Sequence, residues 1–355
     1  MKITAFQSEQ ALAQAFEEGL VRLLQQPGLG SYILVHANAA IDAGLHEALR
    51  PALQSRFTQL ADACRENLSE GRELGGGEDD QLVFLKLMAL GFEAIETARF
   101  RSAGAWELQF NPLRAFRPSR MSREPVSGIQ RPFDPQGFHF NKPFLRKEVF
   151  WAGELQGVAV ELLYNKFPFV PLHSLLVPER TDHHPQYLTA RYHDYVWRLC
   201  ESLGTNLPRL HVAYNSYGAY ASVNHLHFQM FMGTRELPLT RDCWRHNGGA
   251  RGYPVECEVF DAPDPAWRMI EALHARGIGY NLIYRPGRLY CIPRRTQGTY
   301  EQAAWTQGFA WYEVSGGVTT FSRSDFDTLD ERAIEEELGK LNLAFADASE
   351  IEPSD

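Results

Sequence analysis

Tyr214-Asn215-Ser216-Tyr217-Gly218-Ala219-Tyr220-Ala221-Ser222-Val223-Asn224-His225-Leu226-His227-Phe228-Gln229-Met230-Phe231 is the stretch on which the fold turns. Leu210 to Tyr214 and Val223 to Met232 read as two strands of a hairpin, with Gly218 free to let backbone N–H groups approach a ligand in the turn. Successive side chains of a strand leave opposite faces. His225, His227 and Gln229 therefore share one surface, while Leu226, Phe228 and Met230 enter the core. Two histidines one residue apart mean little alone, since 12 in a chain of 355 give about 0.4 such pairs by chance. Their neighbours supply the specificity: Asn215, Ser216 and Gly218 at the turn and Ser222 before the strand form a set of donors suited to a phosphate.

Working outward, Pro185 to Leu203 carry Leu188, Tyr192, Val196 and Leu199 at helical spacing, so a helix precedes the hairpin. Upstream, strands are expected at Gly157 to Tyr164 and Ser174 to Val177, joined through an Asn165-Lys166-Phe167-Pro168 turn. Trp106, Leu108 and Phe110 alternate with polar residues and open the sheet-forming part of the chain, and an arginine-rich connection follows through Arg114, Arg117, Arg120, Arg123 and Arg131. Downstream, a helix from about Pro265 to Arg276 leads into Tyr280 to Tyr284 and Leu289 to Pro293, repeating the helix-then-hairpin order. A last amphipathic helix is expected from Ser324 or Asp325 through Leu338.

Before residue 105 the pattern is helical. Ser8 caps a helix with Leu12, Phe16, Leu20, Leu23 and Leu24 on one face. A second pattern runs through Leu45, Leu49, Leu53, Phe57 and Leu60, with Pro51 expected to divide it or to mark a fresh start. A loop at Gly71 to Asp80 precedes renewed helical spacing from Gln81 to Phe100. The reading is α+β: an antiparallel sheet with packed helices in two related half-units, plus a helical N-terminal region. Its divisions are 1–104 helical, 105–236 the chemically active half, 237–345 a degenerate second half and 346–355 an acidic tail.

A net charge of −9 without a long basic block argues against nucleic acid as a partner. Met1 to Gln10 lacks the order of a signal peptide, and no stretch approaches the roughly 18 to 20 apolar residues of a membrane helix, so a cytoplasmic protein is expected. Cys64, Cys200, Cys243, Cys257 and Cys291 stand far apart and read as free thiols.

The hairpin sequence, Arg131-Pro132-Phe133-Asp134 with Phe138 and Phe140, and Pro171-Leu172-His173-Ser174-Leu175-Leu176-Val177-Pro178 together resemble the transferase branch of the histidine-triad superfamily. That branch holds galactose-1-phosphate uridylyltransferases, dinucleoside polyphosphate phosphorylases and GDP-hexose phosphorylases, and the resemblance is nearest to the last. It covers roughly Trp106 to Phe231. Tyr280-Asn281-Leu282-Ile283 and Trp311-x-Glu313-x-Ser315-Gly316-Gly317 resemble the degenerate second half of the same bipartite family. The resemblance implies a histidine-triad-like sheet and makes His227 the nucleophile that carries the nucleotide as a phosphoramidate. His225 and Gln229 accompany it as catalytic residues.

A neutral imidazole is nucleophilic near pH 7, and a hydrogen bond from its other nitrogen to a backbone carbonyl would fix the reactive tautomer. Asn215, Ser216, Gly218, Ser222, Asn165, His173, Arg117 and Arg120 are the candidate substrate-binding residues. Gln229 stands where triad hydrolases have a third histidine; an amide donates a hydrogen bond but shuttles no proton, which favours transfer over hydrolysis. The expected donor is a nucleoside diphosphate hexose, GDP-hexose first, or a dinucleoside polyphosphate. The expected acceptor is inorganic phosphate or a sugar phosphate. The oligomeric state stays open, a homodimer included.

Uridylyltransferase relatives hold a structural metal partly through cysteines in the segment matching Phe133-Asp134-Pro135, and those cysteines are absent here. No metal and no cofactor are expected. Blander readings stand beside these: His173 as a structural strand residue, Asn215 and Gly218 as turn formers only, and the arginines as a solvated connection. Two rival functions remain. A metal-dependent β-barrel enzyme would use His225 and His227 as ligands, but it lacks an acidic ligand where Met230, Phe231, Met232 and Gly233 stand. A nucleotide-binding module without turnover would bind equally well after His227→Ala.

Overall fold

The computed structural model of the chain describes residues 3–117, 126, 128–233 and 235–344. The first helix, α1 (Glu9–Leu24), is capped by Ser8, whose side chain accepts from the Ala11 N–H at 3.1 Å, and its expected apolar face is buried. Helix α2 (Leu29–Ala39) is buried along nearly its whole length. An apolar helix of this kind needs cover all round; α1, α3 (Ala43–Ser69) and α4 (Glu78–Leu90) provide it. The division expected at Pro51 does not occur, and α3 runs through it. Pro51 and Glu47, whose carbonyl loses its helical partner, both lie on the exposed side, where water can replace the missing bond. Helical spacing after Gln81 stops sooner than expected: Gly91 turns the chain out of α4 at φ +84.

Strands then follow as β1 (Arg99–Ala103), β2 (Trp106–Phe110), β3 (Val149–Leu155), β4 (Val158–Tyr164), β5 (Ser174–Pro178), β6 (Leu210–Asn215), β7 (Phe228–Met232), β8 (Glu258–Phe260), β9 (Gly279–Arg285), β10 (Arg288–Arg294) and β11 (Gly317–Thr320). The later helices are α5 (Pro112–Ala115), α6 (Ala190–Gly204), α7 (Pro263–Ala275), α8 (Trp311–Val314), α9 (Arg323–Thr328) and α10 (Glu331–Gly339). The main sheet has the order β3-β4-β5-β7-β6-β9-β10-β8, with every neighbour antiparallel. The architecture is the expected α+β one. Helix α6 leads into the β6/β7 hairpin and α7 into the β9/β10 hairpin, and the two units meet where β6 pairs with β9, Asn215 facing Asn281.

Helices α6 and α7 pack together on one face of this sheet. The N-terminal helices share that core, with Phe16 against Phe150 and Tyr164. The other face carries an aromatic core around Trp106, Phe169, Phe231, Trp244 and Trp311, closed by the small sheet β1-β2-β11. Because both faces are covered, all six residues of β6 are buried, which simple alternation does not give.

Several boundaries differ from expectation: the helix expected from Pro185 begins at Ala190, and β1 is a strand inside the region read as helical to residue 104. β7 begins at Phe228 rather than Val223, because its last partners are Leu176 on β5 and Ala213 on β6; His225 and His227 precede the strand. The C-terminal helix is two helices, broken at Leu329, with Asp330 capping α10 by accepting from the Ala333 N–H at 2.9 Å. The acidic tail lies outside the described residues. Among the described residues no helix is long and apolar enough to cross a membrane.

Candidate active site

Just before β7, backbone groups have no strand to pair with, and other partners hold them. The Leu226 N–H donates to the His184 carbonyl at 2.8 Å. The His227 N–H donates to Gln186 Oε1 at 2.9 Å, and Gln186 Nε2 donates to the carbonyls of Asn215 at 2.9 Å and His227 at 3.2 Å. One buried glutamine thus ties the histidine segment to the end of β6. In that setting His227 Nδ1 lies 2.8 Å from the His225 carbonyl, so the proton sits on Nδ1 and Nε2 keeps its lone pair. Nε2 has no hydrogen-bond partner among the described residues. Burial holds the His227 pKa down to about 4, with the carbonyl bond acting in the opposite sense.

His225 takes the other tautomer. Its Nδ1 accepts from the Phe140 N–H at 3.1 Å, and burial, then the neighbouring histidines 227, 139 and 183, lower its pKa to about 3. Phe140 packs on both histidine rings. Leu226, Phe228 and Met230 enter the opposite core, as strand alternation requires.

Gln229 points into the aromatic core. Its Oε1 accepts from Trp311 Nε1 at 2.9 Å and lies 2.7 Å from His173 Nε2. His173 is fully buried, and its pKa is lowered to about 3 by burial, with the Gln229 bond raising it and the Arg114 charge lowering it further. Asn165 approaches the same histidine at 3.3 Å and uses its Oδ1 on the Phe167 N–H. The turn holding Asn165 is anchored from the helical region: Asn38 on α2 donates to the Asn165 carbonyl at 2.9 Å, and Lys166 pairs with Asp80 on α4.

Among the remaining sequence candidates, Asn215 joins this group through Trp311. Asn215 is buried, and its Oδ1 accepts from Asn281 Nδ2 at 2.7 Å and the Trp311 N–H at 3.0 Å. Ser216 Oγ accepts from the Tyr280 N–H at 2.9 Å, which places it in the seam between the half-units. Gly218 sits at φ +87, a conformation glycine takes without cost. Ser222 is exposed. Arg117 is half-buried and close enough to Arg114 for the two charges to repel. Arg120 lies outside the described residues.

Sequence reasoning missed four side chains. Gln186, Asn281 and Trp311 act across long chain separations on backbone or amide groups, and no local pattern marks that role. Arg114 is legible only as part of the arginine run; it lies half-buried over the Phe169 ring at 4.4 Å and donates to the Phe167 carbonyl at 2.7 Å.

A metal at His225 does not fit these residues. Phe133 packs against His139, His183 and His225 with centroids 5.3, 4.8 and 5.3 Å away, and His225 Nδ1 is already an acceptor. Among the described residues the group of close acidic and histidine side chains is Glu179, Asp182 and His184, which excludes His225. Glu179 there is taken by Arg191 and Tyr192.

Residues 92–231 match the family described as GDPGP1-like, N-terminal domain. GDP-D-glucose phosphorylase 1 of Danio rerio is 30% identical over 148 residues, 41% of this chain and 42% of that protein. The Homo sapiens protein of the same name is 29% identical over 167 residues, 45% of this chain and 42% of its own. The matched part is thus less than half the length of either relative. The crystal structure of yeast Ap4A phosphorylase Apa2 superposes with a TM-score of 0.49 at 17% identity, covering 77% of this chain and 97% of that one.

Proposed function

We propose, from the match of residues 92–231 to the GDPGP1-like N-terminal domain, that the protein is a GDP-hexose phosphorylase working through a nucleotidyl-histidine. The observation that carries this reading is the His227 tautomer. Nδ1–H is committed to the His225 carbonyl at 2.8 Å, so the Nε2 lone pair is available at neutral pH without prior loss of a proton.

In the first step Nε2 attacks the α-phosphorus of the nucleoside diphosphate hexose. The N–P bond forms, the bond from phosphorus to the bridging oxygen breaks, and hexose 1-phosphate leaves. In the second, an ionised oxygen of inorganic phosphate attacks the same phosphorus, the N–P bond breaks, and the nucleoside diphosphate departs with His227 neutral again. A sugar phosphate could replace phosphate as acceptor, and a dinucleoside polyphosphate could replace the donor, without changing the bonds made and broken at His227. Gln229 and Asn215 offer amide donors to the non-bridging oxygens, and the Arg114 and Arg117 charges support the anionic substrate. Neither step requires a proton to be taken from the acceptor, which suits a site whose third polar residue is an amide.

Intact-protein mass after mixing with a panel of nucleoside diphosphate sugars and dinucleoside polyphosphates, without phosphate, tests this. A nucleoside monophosphate adduct is expected on wild type and absent from His227→Ala. Full transferase activity in His227→Ala, or no turnover of any donor by wild type, would overturn the proposal.

A further inference from the structure

Two carboxamides of the site share an unusual feature: both of their oxygens are saturated. Gln229 Oε1 meets Trp311 Nε1 at 2.9 Å and His173 Nε2 at 2.7 Å. Asn215 Oδ1 meets the Trp311 N–H at 3.0 Å and Asn281 Nδ2 at 2.7 Å. A carboxamide oxygen has two lone pairs, so neither can accept more. The indole N–H is donor only, so rotating the Gln229 amide would set its NH2 against another N–H.

This arrangement also fixes His173. Its Nε2 must carry the proton to serve Gln229, so the 3.3 Å approach of Asn165 Nδ2 to the same nitrogen brings two donors together and is no hydrogen bond. Asn165 cannot turn its oxygen toward His173, because that oxygen accepts from the Phe167 N–H at 3.0 Å. Both amide nitrogens, on Gln229 and Asn215, have no partner among the described residues. Two NH2 groups with preset orientation offer N–H and nothing else, which is what an anion requires.

We propose that Trp311 and His173 are positioning residues: they hold the Gln229 amide with its NH2 toward the phosphate of the bound nucleotide, and Trp311 does the same for Asn215 through its backbone. The inference rests on the phosphorylase reading. It gives the second half-unit a part in catalysis, since Trp311 and Asn281 both come from it. His173, a candidate for substrate contact, acts instead through Gln229.

Trp311→Phe isolates the effect. The ring still packs on Phe231 and Phe169, the backbone N–H still reaches Asn215, and only the indole N–H is lost. Removing a whole oxyanion donor costs about 100- to 1,000-fold in kcat; loosening one is expected to cost about 10-fold, with KM nearly unchanged. The decisive measurement is the cycle with Gln229→Ala. If Trp311 acts through Gln229, Trp311→Phe has almost no further effect on kcat once the amide is gone, whereas a structural role lowers kcat equally in both backgrounds. His173 provides the same test without disturbing the tryptophan. His173→Gln, whose NH2 can reach the same oxygen, is expected to retain more activity than His173→Phe.

Additive losses in the cycle with Gln229→Ala, or equal activity of His173→Gln and His173→Phe, overturn this inference and leave the phosphorylase reading standing. A folded wild type that turns over no donor removes that reading and this inference with it.

Discussion

Replacing Gln186 by methionine keeps the volume and deletes the polar atoms that tie the histidine segment to β6. Gln186 is 1% exposed, and its side chain makes three bonds to backbone: from the His227 N–H at 2.9 Å, to the Asn215 carbonyl at 2.9 Å and to the His227 carbonyl at 3.2 Å. The stranded His227 N–H costs about 1 to 3 kcal/mol, and the two carbonyls, which keep a second lone pair for other partners, add less. A total of about 3 kcal/mol is expected. At roughly 2.1 cal/mol/K per residue the unfolding entropy of 355 residues is about 0.75 kcal/mol/K, so Tm should fall by about 4 °C. The functional loss should exceed what that stability loss implies. With the His227 backbone released, the proposed nucleophile no longer has a fixed approach, and adduct formation should slow by about 10- to 100-fold at saturating donor. Gln186→Glu keeps the acceptor for the His227 N–H but sets a carboxylate against two carbonyl oxygens, and it should be worse than methionine in both respects. Thermal unfolding and rapid-quench measurement of the adduct give the two quantities. A methionine variant that melts within 1 °C of wild type and labels at the wild-type rate would refute the reasoning.

Two further expectations concern pH. The rate of His227 labelling should stay level as pH falls through 6.5 to the edge of acid unfolding, because burial lowers this histidine to about 4; an acid limb centred near 6.5 would mean the ring is not desolvated as described. Stability should respond earlier. His36, His173 and His225 are lowered to about 3, and His211 and His227 to about 4, in each case first by burial. Below their unfolded value of about 6.5 the unfolded chain takes up protons that the native state refuses, so this stability is complete above about pH 6.5 and drains as pH falls toward the folded values. At roughly 1.4 kcal/mol per unit for each group, five together should bring acid unfolding to about pH 5; circular dichroism showing intact structure at pH 4 would contradict it.

The proposed nucleophile is legible in the sequence because its signal is local. Alternation along five residues sends Leu226, Phe228 and Met230 one way, and all three lie in the core. The His225 carbonyl bond was also foreseeable, since it closes a loop of only two residues. The repeated helix-hairpin order was readable for the same reason, each unit being contiguous. What escaped depends on pairing across the chain. Nothing near Val223 says that β5 and β6 stop before it, so the sequence pattern extends the strand five residues beyond its true start. Pro51 reads locally as a breaker, because exposure of the Glu47 side of α3 is a tertiary fact. Asn215 and Ser216 were identified as polar turn residues, but their partners Asn281, Trp311 and Tyr280 lie more than sixty positions away.

The low proton affinity of His227 serves both halves of the proposed reaction. A nucleophile must be deprotonated to attack and must leave again when the acceptor arrives. An imidazole of ordinary pKa is partly protonated near neutrality and holds phosphorus more tightly; one lowered to about 4 is neutral throughout that range and departs more readily. The cost is weaker attack, and the His225 carbonyl answers it. As the N–P bond forms, positive charge grows on the ring, and the Nδ1–H bond to that carbonyl strengthens in proportion to the charge. Burial therefore sets the resting state, and the carbonyl stabilises the state that appears only during transfer. The same logic explains why the carbonyl belongs to a residue two positions away rather than to a mobile loop. A partner built into the same bend stays in register with the ring through both steps, and Gln186 holds that bend from the backbone side.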